Sequence, residues 1–178
     1  PVQCASNTID WIEDQTFYGV RLPEALTEPE RAQMQQALAL VLNSSITAFW
    51  VEALGRKNLG DGVLQYSRQD MAHLPVMLPA HVMAALQDDG LSAEWASLFD
   101  RLCGQPVVSI AETVELPLQQ AIDEQILRVL LPDTLPAQRQ AIRTQVVDVL
   151  LEQVMQRRRK ADIRRQSRQK RPADRAGR

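Results

Sequence analysis

The sequence predicts an α+β fold that is mostly helix, with a small strand-containing part over residues 1–79 and a helical extension over 80–166. Three observations carry this. Short β-prone runs occur only in the first half of the chain. Apolar residues recur at helical spacing from about residue 27 onward. Proline and glycine punctuate the second half into separate helices. An apolar share of 45 % in 178 residues allows a sizeable core.

The elements follow in order. Thr16-Phe17-Tyr18-Gly19-Val20-Arg21-Leu22 is rich in residues that suit a pleated surface and stops at Pro23, so a short strand is expected there. Thr27-Glu28-Pro29-Glu30 has the form of a capping box with proline in the first turn. Met34, Ala37, Leu38, Val41 and Leu42 then repeat at three and four residues. Asn43-Ser44-Ser45 offers cap side chains in mid-pattern, which predicts a break before a second helix through Ile46, Phe49, Trp50, Ala53 and Leu54. Gly55 to Gly62 reads as a flexible loop bearing Arg56 and Lys57, and Val63-Leu64-Gln65-Tyr66 as a strand. Ser67-Arg68-Gln69-Asp70 reads as another capped turn, and His73–Pro79 as extended chain. Further helices are expected over 80–88, 92–103, 117–130 and 136–166. The last has a stripe of Ile142, Val146, Val149, Leu150 and Val154.

Charge is distributed unevenly. Of the 20 Lys and Arg residues, 11 lie in 157–178 beside only two acids, Asp162 and Asp174, so the rest of the chain is strongly acidic although the net charge is -2. Such a basic block is attracted to polyanions, and binding to phosphates would release counterions and depend on salt. The same block also reads as a solvated helix end. Residues 167–178 are expected to be a disordered basic tail. The tail holds no aromatic residue, so stacking on single-stranded bases is not suggested.

Catalytic patterns are absent. His73 and His81 lie in no metal-ligand frame, Cys4 and Cys103 form no C-x-x-C pair, and no Walker loop, G-x-S-x-G or G-x-G-x-x-G occurs. The cysteine usage and the lack of a roughly 20-residue apolar run point to a reducing cytoplasm and to no membrane partner.

A series of motifs resembles one family. Ser6-Asn7, Phe17-Tyr18-Gly19-Val20, Ala37-Leu38-Ala39-Leu40-Val41-Leu42-Asn43-Ser44-Ser45, Gly60-Asp61-Gly62-Val63-Leu64-Gln65-Tyr66 and Leu74-Pro75-Val76 follow one another. In their order they are similar to the region after the catalytic domain of N6-adenine DNA methyltransferases of restriction–modification systems. The helix at Ala121–Leu127 and the ending Gln156-Arg157-Arg158-Arg159-Lys160-Ala161 resemble that family's C-terminal tail. Thr8 stands where the family has a second Asn, and Gln65 where it has Lys.

The resemblance implies a target-recognition region that contacts double-stranded DNA. It makes Asn7, Tyr18, Asn43, Ser44, Arg56, Lys57, Gln65, Arg157, Arg158, Arg159 and Lys160 candidates for that surface. Helix capping is the plain alternative for Asn43 and Ser44, and core packing for Tyr18. Neither the glycine-rich S-adenosylmethionine loop nor the Asn-Pro-Pro-Tyr motif occurs. A flipped adenine would need that pocket, so the cofactor is expected in a catalytic domain outside this chain, supplied in cis or in trans. A module that docks on a methyltransferase or restriction subunit, or a remnant of a decayed gene, remain the other readings. The start at Pro1 is compatible with a piece of something longer.

Overall fold

In the computed structural model the described residues are 22, 24–59, 63–65, 67, 69–70, 73–75 and 79–169. They form seven helices and one hairpin: α1 (Glu28–Asn43), α2 (Ser45–Leu54), β1 (Arg56–Leu59), β2 (Val63–Gln65), α3 (Pro79–Leu86), α4 (Asp89–Cys103), α5 (Ile110–Thr113), α6 (Pro117–Leu130) and α7 (Pro136–Gln169).

Local chemistry sets the helix ends. Thr27 and Glu30 make a reciprocal capping box, the Thr27 N–H donating to Glu30 Oε2 at 2.8 Å, and Pro29 sits in the first turn of α1. Ser44, at φ -70 and ψ 155, leaves helical geometry. Its hydroxyl donates to Val41 O at 2.7 Å and accepts from the Thr47 N–H at 3.2 Å, so one side chain closes α1 and opens α2. The two helices meet at 58°. Asp88 caps α4 by accepting from the Leu91 N–H at 3.0 Å. Prolines at the starts of α6 and α7 occupy positions whose N–H would be unpaired anyway. Ser67 and Asp70 make the expected capped turn, with the Ser67 N–H donating to Asp70 Oδ2 at 2.8 Å.

The α+β expectation does not hold. The described fold is almost entirely helical, and its strands are confined to one antiparallel hairpin, Arg56 opposite Gln65 and Leu59 opposite Val63, with a register irregularity between. The reason is burial. The stripes of α1 and α2 pack on helices of the second half instead of on a sheet, and among the described residues Val63–Gln65 pairs only with β1. Arg56–Leu59, read as loop, supplies that partner strand. The strand expected at 16–22 lies outside the described residues except for Leu22, which packs against the core.

Two apolar clusters hold the bundle. The larger joins Met34, Ala37, Leu40 and Val41 of α1, Val82 and Leu86 of α3, Leu91, Trp95 and Leu98 of α4, and Leu118, Ile122 and Ile126 of α6. The smaller joins Val114 to Val147, Leu150 and Val154 of α7, with Ala48 and Phe49 of α2 packed on it. Helices before and after residue 79 therefore share one interior. Among the described residues no single helix is long and apolar enough to cross a membrane.

Candidate nucleic-acid interface

The candidate surface is organised by α7, whose 34 residues extend about 50 Å. One face of it is buried: Arg139, Arg143, Val147, Leu150, Val154 and Ala161. With the half-buried Arg157 these recur at three and four residues, so three arginines lie on the stripe that meets the bundle.

A buried cation requires a partner, and each of the three has one. Arg139 Nε donates to Glu124 Oε1 at 2.8 Å, while another of its nitrogens donates to Thr134 O and ties down the α6–α7 turn. Arg143 Nε donates to Asp123 Oδ2 at 2.9 Å, and its terminal nitrogen donates to Val114 O. Arg157 grips Glu52 with two parallel bonds, Nε to Oε1 at 2.8 Å and a terminal nitrogen to Oε2 at 2.9 Å.

Asp123 is the most enclosed charge, with no exposed surface. Its Oδ1 accepts from the Ser45 N–H at 2.8 Å and from Gln119 Nε2 at 3.1 Å. Gln119 also donates to Asn43 O at 3.1 Å. The carboxylate thus joins α6, α7 and the α1–α2 break. Burial pushes its titration up from the usual range, opposed by the Ser45 bonds, the Arg143 charge and Gln119.

Ala161 is the last buried residue of this stripe among those described. Arg158, Arg159 and Lys160 are exposed, and every side chain from Asp162 to Ser167, including Arg164, is exposed. Exposed acids lie elsewhere on the body: Asp88, Asp89, Asp100, Glu112, Glu115 and Asp133. The Glu52–Arg157 pair sets the start of the basic run beside the last turn of α2, and β1, which carries Arg56 and Lys57, begins two residues after that helix ends. Segments 105 residues apart in sequence are thereby joined at the end of α2.

The candidates separate accordingly. Arg158, Arg159 and Lys160 face solvent. Arg157 holds Glu52. Ser44 is buried as a helix cap, and Asn43 donates from Nδ2 to Ala39 O at 2.8 Å, so both serve the helix break. Arg56, Lys57 and Gln65 lie on the hairpin, with Arg56 opposite Gln65. Asn7 and Tyr18 lie outside the described residues. Glu52, Asp123, Arg139 and Arg143 were not singled out from sequence. For Asp123, Arg139 and Arg143 the available signal is a charge sitting on an apolar stripe of α6 or α7.

The strands among the described residues form only an antiparallel hairpin, and the sequence holds no Asn-Pro-Pro-Tyr. Among the described residues no cluster of three His, Cys, Asp or Glu side chains is arranged for a metal ion. No family model matches the chain, and neither curated proteins nor solved structures give a match.

Proposed function

We propose that this chain is the DNA-recognising and positioning part of an N6-adenine-specific DNA methyltransferase of a restriction–modification system, working beside a catalytic domain in cis or in trans. The observation that carries the reading is the exposed cation set Arg158, Arg159, Lys160 and Arg164 at the end of α7, whose basic run starts beside the end of α2. The motif order from Asn7 to Val76 supports the same assignment. An acidic body repels phosphate, so a duplex approaching the chain is steered to that end. Phosphate contacts of this kind fix register and orientation, and leave base reading to other groups.

Arg158→Ala, Arg159→Ala and Lys160→Ala together test it. Each phosphate contact contributes about 0.9 to the slope of log affinity against log salt. The triple variant is expected to lower the slope by roughly 2 to 3 and to keep its helix content, because these side chains are exposed. An unchanged slope and affinity would remove α7 from the interface.

A second reading is a module that docks on a separate methyltransferase subunit. The exposed Trp50 and Leu54 of α2 favour it. Co-sedimentation with such a subunit, together with no affinity for duplex DNA, is the outcome that selects it.

A further inference from the structure

The further inference concerns Glu52 and Arg157, and it rests on the DNA-positioning reading above. By sequence Arg157 opens the basic run and looks like one more phosphate ligand. Its guanidinium instead spans both oxygens of Glu52, a carboxylate only 3 % exposed in the last turn of α2. A phosphate approaching this fork meets a carboxylate already seated in it.

Besides the apolar contact of Ala48 and Phe49 with Val147, Leu150 and Val154, side-chain bonds hold α7 along α2 at two points. At the start of α2, Asp123 accepts from the Ser45 N–H and from Arg143 of α7. At its end, Glu52 accepts from Arg157. These bonds lie near opposite ends of α2, and loss of the second removes the polar hold on α7 nearest its exposed cations Arg158, Arg159 and Lys160.

We propose that Glu52 and Arg157 are positioning residues: their ion pair holds the start of the basic run of α7 against the end of α2, so that Arg158, Arg159 and Lys160 are presented to a duplex in one orientation. The expected sign is opposite to that of simple electrostatics. Removing an acid near a DNA surface ordinarily strengthens binding; here it weakens it.

The test measures affinity of the full chain for a mixed-sequence DNA duplex at low salt, by fluorescence anisotropy. Melting and far-ultraviolet circular dichroism verify that each variant is folded at the working temperature. Glu52→Gln and Arg157→Lys are each expected to bind several-fold more weakly, on the order of fivefold. Lysine keeps the charge but not the two-pronged geometry. The exchanged pair Glu52→Arg with Arg157→Glu is expected to recover most of the loss. Should Glu52→Gln fail to fold, Arg157→Lys decides alone. Equal or tighter binding by folded Glu52→Gln, or full affinity in Arg157→Lys, overturns the proposal, as does a lowered melting point with unchanged affinity. A parent chain without duplex affinity overturns the DNA-positioning reading itself, and the pair's role with it.

Discussion

Asp123→Ala is expected to destabilise the chain by on the order of 4 kcal/mol. The substitution leaves Arg143, whose side chain is only 7 % exposed, as a buried cation without its carboxylate. It also strands the Ser45 N–H, which donates to Asp123 Oδ1 at 2.8 Å inside the bundle. Breaking one side of a buried ion pair costs more than the pair contributes, because the surviving charge remains desolvated. For a chain of this size the melting point should fall by roughly 10 °C. Urea unfolding followed by circular dichroism measures it. Asp123→Leu with Arg143→Met should cost less than Asp123→Ala alone, since no charge is then left buried. It should still cost something, because the Ser45 N–H stays unpaired. A loss below about 1 kcal/mol for Asp123→Ala would mean that water or a side-chain rearrangement rescues Arg143.

Trp95→Ala is expected to be comparably damaging, on the order of 3 to 5 kcal/mol. Trp95 is 1 % exposed and lies in the larger cluster with residues from α1, α3 and α6, so its removal opens a cavity where four helices meet. Trp95→Phe separates volume from polarity. Trp95 Nε1 is buried with no hydrogen-bond partner among the described residues. Phenylalanine therefore forfeits packing but no hydrogen bond, and should cost well under half as much as alanine. Equal losses for the two would show that the indole N–H does have a partner.

Helix ends were legible because caps are local chemistry. Thr27 with Glu30, Ser44, and the prolines opening α6 and α7 act within a turn or so of their own position, and the structure has helix boundaries close to where they point. What the helices pack against was not legible. Met34 and Val41 announce an apolar face, but nothing in their spacing says that the face meets α4 and α6 instead of a sheet, and the short run at Val63–Gln65 forms one strand of a single hairpin. The site divides in the same way. Exposure of Arg158, Arg159 and Lys160 follows from a dense run of charge after an apolar stripe ends. The role of Arg157 does not, because its carboxylate lies 105 residues away and only the fold joins them. Asp123 was hidden for the same reason, with Ser45 at a separation of 78 residues.

The central claim is that the chain engages double-stranded DNA through one basic end. The most direct measurement is anisotropy of a labelled mixed-sequence duplex titrated with the unmodified chain at several salt concentrations from about 50 to 200 mM. The account predicts saturable binding at the lowest salt that weakens along a straight log–log line, with a slope reporting several phosphate contacts. No binding at the lowest salt, or binding indifferent to salt, would contradict it.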